Sequence, residues 1–111
     1  MIESNYDIHL QELYTRSVER LICAETFDLI AFEDLRDYLR GKATRIKNEH
    51  VVSKQVLFYL MRARGSIREK AEWILEAGEH LSMADEFEDL LSYIAWGVDP
   101  TEQQPGVARI I

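Results

Sequence analysis

Apolar side chains recur in this chain at three- and four-residue steps over almost its whole length, and no stretch alternates with period two for long enough to form a strand. That rhythm restricts the chain to helices packed on one another. At 111 residues it suits one domain that buries roughly 65% of its unfolded surface without a metal or a disulfide. The expected architecture is all-α: a single-domain bundle of four to five mostly antiparallel helices over residues 1–97, followed by an irregular tail over 98–111.

Leu10, Leu13, Tyr14, Val18, Leu21 and Ile22 line one stripe of a first helix at about 5–25, with Ser4 or Asn5 as its cap. Thr26 is placed to cap a second helix whose core face holds Phe27, Ile30, Ala31, Leu35, Tyr38 and Leu39, widened by Leu29 and Phe32. Gly41 is a stop signal, after which helix can resume through Ala43–Asn48. A third helix at about 50–64 is apolar on most sides and reads as the central element. Arg64-Gly65-Ser66 then punctuates, and Ser66 with Glu69 forms a capping box for a fourth helix at 67–81. Ser82 with Asp85 opens a fifth, which runs to Gly97 as its C′ residue. Pro100 and Pro105-Gly106 break up the tail.

Charge falls in three blocks. Residues 1–40 hold nine acids and four bases, 41–70 two acids and eight bases, and 71–111 nine acids and one base, or net −5, +6 and −8. Glu69, Glu72, Glu76 and Glu79 follow at 3-4-3 spacing, one acidic stripe on a continuous helix. Like charges at i,i+4 each cost a helix about 0.2–0.5 kcal/mol, so the stripe calls for a basic surface somewhere. On a helical wheel the core face of the fourth helix takes Ile67, Ala71, Ile74, Leu75, Gly78 and Leu81, and leaves Trp73 beside the glutamates. The fifth helix turns Met83, Phe87, Leu90, Leu91 and Ile94 inward and Asp85, Glu86 and Asp89 outward, with Tyr93 and Trp96 among the acids.

Aromatic anchors ringed by acids are the outline of a surface that binds a basic partner. The candidate partner-binding residues are Glu72, Trp73, Glu76, Glu79, Asp85, Glu86, Asp89, Tyr93 and Trp96. The function expected from them is a non-enzymatic acidic binding protein, monomeric or homodimeric, that occludes a basic protein partner. An immunity- or antitoxin-type inhibitor of a bacterial toxin is its most concrete form. Lys54, Arg62, Arg64 and Lys70 are the intramolecular alternative for pairing with the stripe. An oligomeric assembly or chaperone-like subunit is the other role for an aromatic face.

One catalytic pattern stands out. Arg45-Ile46-Lys47-Asn48-Glu49-His50 resembles, over six residues, the ribonuclease motif of the HEPN helical family. The resemblance implies an Arg45 that holds phosphate and a His50 that polarises an attacking 2′-hydroxyl. Ile46 stands where that family places a polar residue, and the motif lies mid-chain rather than on a late helix. It makes a small RNA-binding or RNA-processing protein the second functional reading, with the basic segment 42–70 as its contact surface.

Other chemistries lack their residues. His9, His50 and His80 are scattered, and Glu76 with His80 at i,i+4 is only half a metal site, so neither metal nor cofactor is expected. The five glycines never cluster into a phosphate loop. Cys23, the only cysteine, reads as a small core residue and excludes an internal disulfide. The first thirty residues show no basic start with an apolar run, and no stretch reaches the eighteen apolar residues that a membrane helix needs. A cytoplasmic protein is the expectation.

Overall fold

The reason helix dominates is visible in the burial pattern. In the computed structural model, which describes residues 6–46 and 52–96, five helices are present and no strand occurs among the described residues. The expected caps Ser4 and Asn5, the segment Lys47–His50, Gly97 and the tail 98–111 lie outside the described residues.

The first helix, α1, runs continuously over 8–24 but changes its winding. An α-helical part at Ile8–Tyr14 passes into π-helix at Thr15–Glu19 and returns to α at Arg20–Ala24. The sequence supplies a cause. Its buried residues form two i,i+4 rows, Leu10-Tyr14-Val18 and Leu13-Ser17-Leu21. On a 3.6-residue helix such rows drift by about 40° per step. A turn bonded i→i+5 takes up the extra residue and keeps both rows facing the core. Ser17 sits fully buried in the wide turn, its hydroxyl donating to the Leu13 carbonyl at 2.7 Å.

Asp7, not Ser4 or Asn5, caps this helix, its carboxylate accepting from the Leu10 amide at 3.0 Å. The same carboxylate accepts from the Tyr38 hydroxyl at 2.6 Å and lies 2.8 Å from Lys42 Nζ. Gln55 then grips the Asp7 backbone from the third helix, accepting from its amide at 2.8 Å and donating to its carbonyl at 2.9 Å. Burial alone would raise the Asp7 carboxyl. Hydrogen bonds from Lys42, Tyr38 and the Leu10 amide, with the Lys42 charge, outweigh burial and hold it at about 2.

The second helix, α2, spans Leu29–Ile46. Asp28 caps it in place of Thr26, accepting from the Ala31 amide at 3.1 Å. Ala31, Phe32, Leu35 and Leu39 are buried, whereas Ile30, expected in the core, is 66% exposed. Gly41 does not stop the helix, which continues through it.

The third helix, α3, spans Lys54–Lys70, later and longer than the expected 50–64. Gly65 and Ser66 lie inside it. Ser66 caps nothing: it is 6% exposed, and its hydroxyl donates back to the Ala63 carbonyl at 3.2 Å. The apolar surface expected on most sides of α3 is not covered throughout, since Phe58 and Met61 remain about half exposed. The helix is central all the same, because α1 and the last helix both pack on it.

The expected fourth helix over 67–81 does not exist as one piece. The chain turns at 71–73, Ile74 becomes extended (φ −108°, ψ 108°), and one short helix, α4, follows at Leu75–Glu79 before α5 at Leu81–Trp96. Ser82 lies inside α5 rather than at its cap. The break lets α5 fold back along α3, the most extensive helix pairing in the structure. Packed on α3 and also on α2, α5 buries Met83, Phe87, Leu90, Tyr93 and Ile94. Each buried side chain of this size contributes about 1.5–3 kcal/mol, which outweighs the exposure of two leucines at the corner.

Candidate interaction surface

The corner at 71–81 is packed from beneath and open above. Ala77 is fully buried, and Gly78 passes so close to the turn that an added Cβ would lie 3.2 Å from the Ala71 carbonyl oxygen. Gly78 is therefore a close-approach residue. The outward side chains are Trp73, Leu75 and Leu81, which are 57%, 77% and 44% exposed. Leu75 and Leu81, expected on a core face, lose that face because the helix that would have carried it is broken at Ile74.

Trp73 is held in place rather than loose. Its indole N–H donates to Glu25 Oε2 at 3.2 Å, and Lys70 Nζ lies over its ring, 5.1 Å from the centroid. Lys70 also reaches Glu25 at 3.8 Å. Glu25 ends α1 in the left-handed region at φ 53°, a conformation that costs a residue other than glycine roughly 1–2 kcal/mol. Below it, the Phe27 ring stacks on His80 at 5.2 Å, and His80 Nδ1 lies 2.8 Å from the Glu76 carbonyl oxygen. The loop 25–28 thus braces the corner from one side. Nothing in sequence spacing links Glu25 to Trp73, which are 48 positions apart.

Most acids of α5 are paired, whereas those around the corner are not, among the described residues. On α5, Glu86 pairs with Arg36 at 3.2 Å and Arg40 at 3.5 Å, and Asp85 with Arg68 at 2.8 Å. Glu88, absent from the sequence-derived set, meets Arg68 at 2.8 Å and Arg64 at 3.9 Å. Hydrogen bonds to Asp85 and Glu88 push the Arg68 guanidinium above its ordinary value. Around the corner, Glu69, Glu72, Glu76 and Glu79 make no ion pair among the described residues, nor does Asp89. The four glutamates do not lie on one helix: Glu69 belongs to α3, Glu72 to the turn, and Glu76 and Glu79 to α4.

Two further expectations change. Tyr93, placed among the outward acids by the wheel, is 7% exposed and belongs to the core. Its side of α5 faces α2, as the pairing of Glu86, two turns earlier, with Arg36 and Arg40 shows. Cys23, expected in the core, is exposed. Trp96 ends α5, and its side chain lies outside the described residues. Arg45 is exposed at the end of α2, while its motif partner His50 falls outside the described residues. Among the described residues no three of His, Cys, Asp and Glu gather as metal ligands, and no helix is long and apolar enough to cross a membrane.

No protein-family model matches the chain, and no curated protein or solved structure matches it either.

Proposed function

We propose that this protein is a non-enzymatic binding protein whose corner at 71–81 occludes a basic protein partner, working as a monomer or homodimer in the cytoplasm. An immunity- or antitoxin-type inhibitor of a bacterial toxin is the most concrete form of this role. The observation that carries the proposal is Trp73, 57% exposed yet oriented by Glu25 and Lys70, beside glutamates that no base of the chain neutralises among the described residues. A rigid aromatic already in place loses little freedom when a partner covers it. Surrounding acids speed the encounter with a basic protein and repel acidic ones. Of the residues expected at the site, Glu72, Trp73, Glu76 and Glu79 remain its centre, joined by Leu75. Asp85 and Glu86 serve pairing within the chain.

The test is capture of partners by the tagged chain from a lysate of the organism that encodes it, with bound proteins identified and assayed for inhibition. A stoichiometric basic protein, blocked by the wild type and released by Trp73→Ala, supports the role. Recovery of RNA that depends on Arg45 instead would replace it.

A further inference from the structure

We infer that the outer face of α3 is a dimer interface, and that its occupant is the same face of a second copy of this chain, laid antiparallel. None of its residues belongs to the corner at 71–81. Lys54, Phe58, Met61, Arg62, Gly65 and Glu69 are all exposed, although α1 and α5 cover other sides of α3. At 100° per residue they fall within about 100° of the wheel and form one stripe about 22 Å long. Two large apolar side chains, Phe58 and Met61, lie in its middle, and opposite charges, Lys54 and Glu69, mark its ends.

The stripe complements itself. A two-fold axis passing between Met61 and Arg62, at right angles to the helix, reverses the second copy. Lys54 then stands level with Glu69 of that copy and Phe58 with its Gly65, and symmetry repeats both pairs. Gly65 singles out this register. A glycine inside a helix is destabilising relative to alanine. Nothing among the described residues of its own chain calls for one, since an added Cβ would meet no atom within 4 Å, unlike at Gly78. Across the axis, the missing Cβ leaves a seat for the Phe58 ring when two helices approach to about 8–10 Å. That ring is already oriented: the Arg62 guanidinium lies over it, 5.9 Å from the centroid, and Arg62 Nε donates to the Tyr14 hydroxyl at 3.4 Å. The same contacts hold the two Arg62 groups toward their own chains where they come near the axis, while the two Met61 side chains pack on each other. Neither Lys54 nor Glu69 has an ion pair among the described residues. Set level across the axis, each meets an opposite charge at the rim, twice per dimer. A parallel pairing would instead set Lys54 beside Lys54 and Phe58 against Phe58.

The test is sedimentation velocity of the full chain from about 1 μM to about 1 mM, where a reversible monomer–dimer equilibrium is expected. Gly65→Gln should weaken it about thirtyfold by filling the seat of Phe58. The thermal melt of the monomer should meanwhile hold or rise, because glutamine is the better helix former. Lys54→Glu should weaken the dimer about tenfold, and Lys54→Glu with Glu69→Lys should restore it to within about threefold of the wild type. The two positions lie about 22 Å apart on one helix, so the rescue cannot arise within a chain.

A chain that stays monomeric over the whole range would overturn the inference. So would a dimer that Gly65→Gln leaves intact, or a double reversal that associates no better than Lys54→Glu alone. A dimer abolished by Leu75→Asp but indifferent to Gly65→Gln would also overturn it, placing the contact between copies at the corner.

Discussion

Helix α5 carries four acids, Asp85, Glu86, Glu88 and Asp89, and the corner before it carries Glu72, Glu76 and Glu79, with Glu69 at the end of α3 beside them. On α5, three of the four are paired with Arg36, Arg40, Arg64 or Arg68 from α2 and α3. At the corner none is paired among the described residues, and Trp73 and Leu75 between them face outward. Arginines of α2 together with two from the basic block thus complement the helix that packs on them, and among the described residues none compensates the glutamates of the corner. Negative charge alone says little about role. What distinguishes the two regions is whether the fold itself supplies the cations.

That contrast yields predictions that differ by region. The largest effect belongs to the packed side of α5. Phe87→Ala, at a fully buried position, should cost about 3–5 kcal/mol of unfolding free energy in a denaturant titration, whereas Leu75→Ala should stay within about 0.5 kcal/mol. Comparable losses at the two sites would erase the distinction.

Asp7 provides the next test, as an acid committed to the fold at the other end of the molecule. Its folded carboxyl is held at about 2, below the ordinary carboxylate value. A depressed folded value means stability that is present above the unfolded value and lost as pH falls toward the folded one. The wild type should therefore lose about 1–2 kcal/mol between roughly pH 4 and pH 2 that Asp7→Asn does not lose. Identical pH profiles for the two proteins would remove Asp7 from the group of structural acids.

A smaller effect is expected at Arg36, whose side chain is 20% exposed and bridges Asp37 and Glu86. Arg36→Ala should lower stability by about 1 kcal/mol, and part of that difference should vanish in high salt. The smallest effect comes from Glu76→Gln with Glu79→Gln, which should leave the melting temperature unchanged or slightly raised because it relieves unpaired like charge. A marked loss of stability there would reveal an internal partner for the corner.

The helical class was legible from the spacing of apolar residues, and so were the buried stripes of α1 and the inward residues Met83, Phe87, Leu90 and Ile94. Boundaries were legible only where local chemistry agreed with packing. Gly65-Ser66 carries every mark of a helix start, yet the gain from docking α3 along α5 carries helix straight through it. Ile74 and Leu75 carry no mark of a break, since their spacing suits a continuing helix and neither glycine nor proline lies at 71–74. The turn there arises from long-range packing, which no local pattern records. Tyr93 was misplaced for a related reason: a wheel centres one apolar stripe, whereas α5 is covered by both α3 and α2. At the site, the exposure of Trp73 beside glutamates was legible, but the brace from Glu25 was not, because it joins residues far apart in the chain.

The most direct measurement compares Trp73→Ala and Arg36→Ala in parallel, reading melting temperature and retention of the captured basic partner in the same preparations. Trp73→Ala should release the partner and keep nearly the wild-type melting temperature, while Arg36→Ala should melt lower and keep the partner. A Trp73→Ala protein that melts well below the wild type yet still holds the partner would contradict the assignment of binding to the corner.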